Sequence, residues 1–219
     1  FNKFSPLEDA ALKVRIEQLL KKCGFTSNGL FVMDGSRRSN HGNAYFTGFG
    51  KTKRIVFFDT LLSRLEPAEI EAVLAHELGH FKHRHVIKRV MASFIMSLLF
   101  FWLLGYLMNQ TWFYESLGVS VEMAPSAAMA LLLFFLVLPV FTFLFHPISS
   151  IYSRKHEFEA DAYAAQNASA EDLIHALVKL YQDNAATLTP DPLHSTFYDS
   201  HPPAATRVAH LQRQIHHAS

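Results

Sequence analysis

Two long uncharged runs constrain this chain more than any other feature. Val90 to Met108 is nineteen residues without a charge or a histidine. As a helix it would be about 28 Å long, close to the thickness of a bilayer's hydrocarbon core. Met123 to Phe145 is also uncharged, with Pro125 near its start and Pro139 inside. An interior proline is costly in a soluble helix but tolerated as a kink in a membrane helix. Two such runs in so short a chain predict a transmembrane hairpin rather than two helices of a soluble core. Lys82, Arg84, Lys88 and Arg89 precede the first run, and Arg154 and Lys155 follow the second. The connection, Asn109 to Glu122, has no Lys or Arg, and its Trp112, Phe113 and Tyr114 suit an interface. The positive-inside rule then puts both outer ends on the cytoplasmic side, so segments distant in sequence share one face of the bilayer.

Half of the 219 residues are hydrophobic, twenty are Phe, and the net charge is +1, so the balance gives no reason to expect a nucleic-acid partner. The single cysteine, Cys23, excludes an intrachain disulfide and reads as a small half-buried residue. No signal peptide is visible, and a chain opening on Phe1 is expected to be a piece of something longer.

Outside the hairpin the pattern predicts an α+β domain, mainly helical with a small sheet. Ser5-Pro6-Leu7-Glu8 resembles a helix start with Ser5 as cap, followed by a stripe of Leu12, Ile16, Leu19 and Leu20 that ends at Gly24. Residues 29–36 read as a strand. Asn43 to Phe49 and Arg54 to Phe58 read as a hairpin turning around Gly50 to Lys53. Pro67 opens a helix that is expected to run on into the first span. Ile148 to about Gln166 reads as helix, Ser169 caps another, residues 187–203 read as loop, and Pro203 opens a last helix through Gln214. The expected organisation is residues 1–89 and 148–219 as two halves of one domain, interrupted by the hairpin at 90–147.

Four histidines fall within ten residues just before the first span: His76, His80, His83 and His85. His76 and His80 are one helical turn apart, about 40° round the axis, so both imidazoles can reach one metal ion at about 2 Å. Glu77 lies about 100° round from His76, placed to touch a water rather than to be an equal ligand. This is the H-E-x-x-H arrangement, with the glutamate as general base. Gly79 costs the helix about 1 kcal/mol relative to Ala, which implies that something passes close to it. His83 falls near the same face as a further candidate ligand, but with His85 it reads better as part of the basic cluster at the membrane surface.

A catalytic zinc takes three protein ligands and keeps one position open. The segment after the second span supplies Glu157, Glu159 and Asp161 on the same side of the membrane. Glu157 and Asp161 share a helix face, so one can bind metal while the other orients a ligand histidine, in either assignment. Glu159 points about 160° from Asp161 and reads as solvent-facing. His156 is expected to point elsewhere.

"HELGH" (76–80), two spans and "EFEAD" (157–161), with residues 35–62 upstream and "SHPPAATR" (200–207) downstream, resemble the Ste24-type membrane zinc metalloproteases, the CAAX prenyl proteases. The resemblance covers nearly the whole chain. It implies a zincin-like domain and one Zn²⁺ per chain held by His76, His80 and Glu157. Glu77 is then the catalytic base and Asp161 a supporting carboxylate. It further implies that the strand around Asn43 binds substrate backbone and that His201 and Arg207 face the bound peptide. His201 is the candidate donor to the oxyanion, and Arg207 the candidate clamp for a substrate carboxylate. The implied partners are peptide or protein substrates, C-terminal CAAX segments among them, and the bilayer of a bacterial inner membrane or the endoplasmic reticulum. Full-length members carry further spans ahead of the matched region. Two other readings use the same motifs: a heat-shock-type membrane quality-control protease, and a non-catalytic membrane protein braced by zinc with His83 or His85 as fourth ligand.

Overall fold

The computed structural model of the protein describes residues 2–37, 43–47, 53–120, 126–183, 191–199 and 201–218. Its elements are mostly helical around one small mixed sheet. Strand β1 is Phe4–Pro6, β2 Ser27–Met33, β3 Ala44–Thr47 and β4 Lys53–Phe58, in the spatial order β1-β2-β4-β3. β2 and β4 are parallel, while β1 and β3 flank them antiparallel. Helix α1, Ala10–Lys22, buries Leu12, Ile16, Leu19 and Leu20 in the same core as Leu30, Ile55 and Phe57 of the sheet. The stripe read from sequence is therefore the buried face. Its start is not: Ser5 and Pro6 belong to β1, paired with Val32 and Phe31, and the helix cap is Asp9, which accepts from the Leu12 N–H at 2.9 Å. Pro6 is tolerated because β1 is an edge strand. The turn residues Gly50 to Thr52 lie outside the described residues.

After the short helix α2, Asp59–Leu62, helix α3 spans Pro67–Lys82. Pro67 stands at its first turn and Glu66 and Glu69 form a reciprocal capping box. The expected continuation into the first span fails at Arg84, which adopts the left-handed conformation (φ 56). A new helix, α4, begins at His85 and runs to Leu107. α5 is Thr111–Glu115 and α6 is Ala127–Thr142. A 3-10 turn joins α6 to α7, His146–Asn167. Met123 to Pro125, the start of the second run, lie outside the described residues. α4 and the α6–α7 rod are long and apolar enough to cross a membrane. The side chains of Phe94, Phe101, Trp102, Leu136 and Val140 are each more than half exposed, as lipid-facing or helix-facing surfaces would be.

α8, Ala170–Asp183, starts at the Ser169 cap as expected. The segment read as loop contains α9, Pro192–Tyr198, where the Asp191 carboxylate accepts from the His194 N–H at 2.9 Å. Asp followed by Pro is a helix start that the surrounding Thr, Ser and Pro residues obscure. α10, Ala204–Ala218, closes the fold against α8 and α7.

α3 and α7 pack along each other, and this contact positions the site. Gly79 allows it: a Cβ there would lie 2.9 Å from the Ala160 Cα and 3.1 Å from the Ala160 carbonyl oxygen. Backbone cannot step aside as a flexible side chain can. Gly79→Ala is therefore expected to lower stability by about 1–2 kcal/mol through overpacking, despite better helix propensity. An unchanged melting curve in detergent would show that the two helices tolerate wider spacing.

Candidate metal centre

Helix α3 presents His76 and His80 toward α7, and α7 answers with Glu157 and Asp161 one turn apart. The two imidazole Nε2 atoms are 3.1 Å apart. Glu157 Oε2 lies 3.7 Å from His76 Nε2, and Glu157 Oε1 lies 3.5 Å from His80 Nε2. Donors about 2.05 Å from a tetrahedral zinc would stand about 3.3 Å from one another. The triangle of two imidazole nitrogens and one carboxylate fits such an ion. Among the described residues, His76, His80 and Glu157 form one of two such groups; the other is His83, His85 and Glu159.

The surroundings prepare each donor. His76 Nδ1 is 2.9 Å from Asp161 Oδ1, so it donates there and leaves Nε2 with its lone pair facing the cluster. Asp161 is fully buried and is gripped from α10 by Arg207, through Nε at 2.9 Å and Nη2 at 2.5 Å. Arg207 Nη1 also lies 3.5 Å from Glu157 Oε2. Burial pushes the Asp161 carboxyl up, but the hydrogen bonds from His76 and Arg207 outweigh it and hold it well below the usual range. Burial likewise opposes Glu157, yet the His201 hydrogen bond and the charges of His76 and Arg207 hold it down at about 2. Burial, reinforced by His76, pushes His80 down to about 3, so its ring is neutral and available as a ligand.

Glu77 follows His76 on α3, and burial raises its carboxyl, with Glu157 adding to the rise. His201 comes from the loop before α10; its Nδ1 is 3.0 Å from Glu157 Oε2 while most of its side chain stays exposed. The structure thus brings His76, His80, Glu157, Asp161, His201 and Arg207 into one connected cluster beside Glu77. Asn43 stands just before β3. Its side chain accepts from the Ala44 N–H and its carbonyl from the Phe58 N–H. β3 is an outer strand of the described sheet, and its Phe46 ring packs edge-on against Phe81 of α3 at 4.8 Å.

A family model described as peptidase family M48 matches residues 6–215. The chain belongs to this family. Among its relatives, CAAX prenyl protease 1 of Saccharomyces cerevisiae is 39% identical across 96% of this chain and 49% of its own length. The Arabidopsis thaliana homologue of CAAX prenyl protease 1 is 41% identical, over 95% of this chain and 49% of its own. In three dimensions the M48 chain superimposes on the crystal structure of S. mikatae Ste24p with a TM-score of 0.85 at 39% identity, covering 96% of this chain and 52% of that one. The chain spans about half the length of the relatives it matches.

Two residues read from sequence as surface-facing are drawn inward. His85, read from sequence as part of an interfacial basic cluster, is buried, and its Nε2 lies 2.9 Å from Glu159 Oε2. Glu159, read as solvent-facing, is its partner. His156, expected to point away from the metal ligands, is not among them and stacks on the His85 ring at 4.0 Å. The helix break at Arg84 is the physical reason. On an unbroken helix His85 would lie about 140° round from His80; the left-handed residue turns it back.

Proposed function

We propose that this chain is the catalytic half of a membrane-embedded zinc endopeptidase that cleaves C-terminal CAAX-type peptides. The observation that carries the reading is the convergence of His76, His80 and Glu157 next to Glu77, with Asp161 and Arg207 braced behind them. His76, His80 and Glu157 would hold the ion. Bound there, zinc would act as a Lewis acid toward the scissile carbonyl and lower the pKa of water from about 15.7 toward about 7.

The remaining work belongs to the side chains. Glu77 takes the proton of the attacking water and returns it to the departing amine. Its raised carboxyl suits a base that must also give the proton back. Asp161 fixes the tautomer of His76, and Arg207 fixes Asp161. His201 is held near the metal ligands through Glu157, and the hydrogen bond between them raises its imidazole, which suits donation to the oxyanion. The outer strand β3, with Asn43 at its start, offers backbone for an extended peptide to join. The flanking Lys82, Arg84, Lys88, Arg89, Arg154 and Lys155 support a cytoplasmic catalytic face.

The relatives' names favour CAAX cleavage over general membrane quality control. A purely bracing zinc site would need a fourth protein ligand. His85 lies behind the His80 ring, at its Nδ1 rather than its Nε2, which argues against that use. Glu157→Ala in the full-length protein is expected to lose its zinc and its cleavage of a farnesylated CAAX peptide together. Zinc retained at one per chain in that variant would remove Glu157 from the ligand set.

A further inference from the structure

The ring of His80 has two nitrogens, and only one is accounted for by the ligand cluster. Its Nδ1 faces away from Glu157 and meets His85 Nδ1 at 2.9 Å. Two facing imidazole nitrogens hold one proton between them, and its owner decides which tautomer His80 adopts. His85 settles the question through its other nitrogen. His85 Nε2 is 2.9 Å from Glu159 Oε2. An ionised carboxylate only accepts, so His85 Nε2 must donate. A neutral His85 then has only a lone pair at Nδ1, and His80 Nδ1 must carry the proton. His80 Nε2 is left unprotonated and aimed at His76 and Glu157.

We propose that His85 and Glu159 are positioning residues of the metal centre: Glu159 orients His85, and His85 accepts the Nδ1 proton of His80 so that His80 Nε2 is presented as a ligand. This rests on the zinc reading above and extends it. The two ligand histidines would then each have a backing acceptor, Asp161 for His76 and His85 for His80. The difference is that the second acceptor is itself neutral and takes its direction from a carboxylate one step further out.

The packing supports a fixed ring rather than a chance contact. His85 is 1% exposed. His156 stacks on it at 4.0 Å with 9° between the planes, and His83 at 5.4 Å with 13°. Arg84, in the left-handed region where a non-glycine residue is strained, directs His85 back toward His80. Lys155 Nζ lies 3.9 Å from the other Glu159 oxygen.

The same atoms could instead serve a second cation, since His83, His85 and Glu159 converge as a donor group. The two uses exclude each other, because His85 Nε2 cannot both donate to Glu159 and bind a metal.

The test measures zinc stoichiometry and affinity, by chelator competition on the full-length protein in detergent, together with the visible spectrum of the cobalt(II)-substituted protein. The parent is expected to hold one zinc. His85→Leu removes the acceptor at similar volume and is expected to weaken zinc about 10–100-fold and shift the cobalt bands. His85→Asn places a carbonyl oxygen near the lost Nδ1 and is expected to recover most of the affinity and the parent spectrum. A merely structural role would not be rescued in this way. If His85→Leu does not fold, Glu159→Leu decides, with weaker zinc expected. Parent-like affinity and spectrum in His85→Leu or Glu159→Leu would overturn the relay while leaving the zinc reading intact. Two zinc ions per chain, one lost in either variant, would overturn it in favour of a second cation site. A parent that binds no zinc would overturn the metal centre itself.

Discussion

Glu77→Gln is expected, on the proposed reading, to slow cleavage of a farnesylated CAAX peptide steeply while leaving one zinc per chain in place. The residue follows His76 on α3 and is not among the converging donors, so removing its charge need not disturb them. Gln keeps the size of the side chain but cannot take a proton from water. General-base assistance contributes about 10²–10⁴-fold, so a fall of about that size in kcat is expected. KM should change little, because the lost interaction is made in the transition state rather than in substrate binding. The measurement is single-turnover cleavage by the full-length protein beside its metal content. Turnover at the parental rate would remove Glu77 from the proton path. Loss of zinc together with activity would instead make Glu77 part of the support for the ligands.

Arg207→Met is expected to produce the largest loss of stability of any single change at the site. The guanidinium is buried and pairs with both Asp161 and Glu157, two carboxylates that are themselves buried. Methionine fills much of the space but removes the cation the two carboxylates share, leaving Asp161 with His76 and Glu157 with His201. Removing one partner of a buried ion pair costs about 3–5 kcal/mol. The loss is expected to depend on pH. In the zinc-free protein the Glu157 carboxyl is held at about 2, against 4.5 without the fold. A carboxyl depressed in the folded state stabilises fully above its unfolded value, and that contribution fades as pH falls toward the folded value. The metal-free parent should therefore lose this contribution between about pH 4.5 and about pH 2. Without the arginine the carboxyl is less depressed, and acid unfolding should begin at higher pH. Melting curves from pH 3 to pH 7, set by the same linkage over about that range, would check both effects. A parental melting profile with a raised KM would mean that Arg207 serves the substrate carboxylate instead of the internal pair.

Much of this protein is legible from local rules. Pro67 with its capping glutamates, the Ser169 cap and the stripe of Leu12, Ile16, Leu19 and Leu20 each depend on neighbours within a turn or two. So does the pairing of His76 with His80, since helical periodicity alone puts them on one face. Competing local signals are harder to rank. Ser5-Pro6 carries a helix-start pattern, but pairing with Phe31 and Val32 takes it into the sheet. Pro192 opens a helix inside a stretch whose composition reads as loop.

The chain's own order of residues determined the two apolar runs, the helical spacing of His76 and His80, and the glycine at position 79 that lets another backbone approach. Those follow from composition and from the period of a helix. Only the folded molecule decided that Arg207 lies buried against Asp161 and Glu157, and that His85, Glu159 and His156 gather behind His80. The first requires α10 to dock on α7, far apart in sequence. The second requires one residue, Arg84, to leave the helical conformation, and neither a side-chain pattern nor a propensity records that choice.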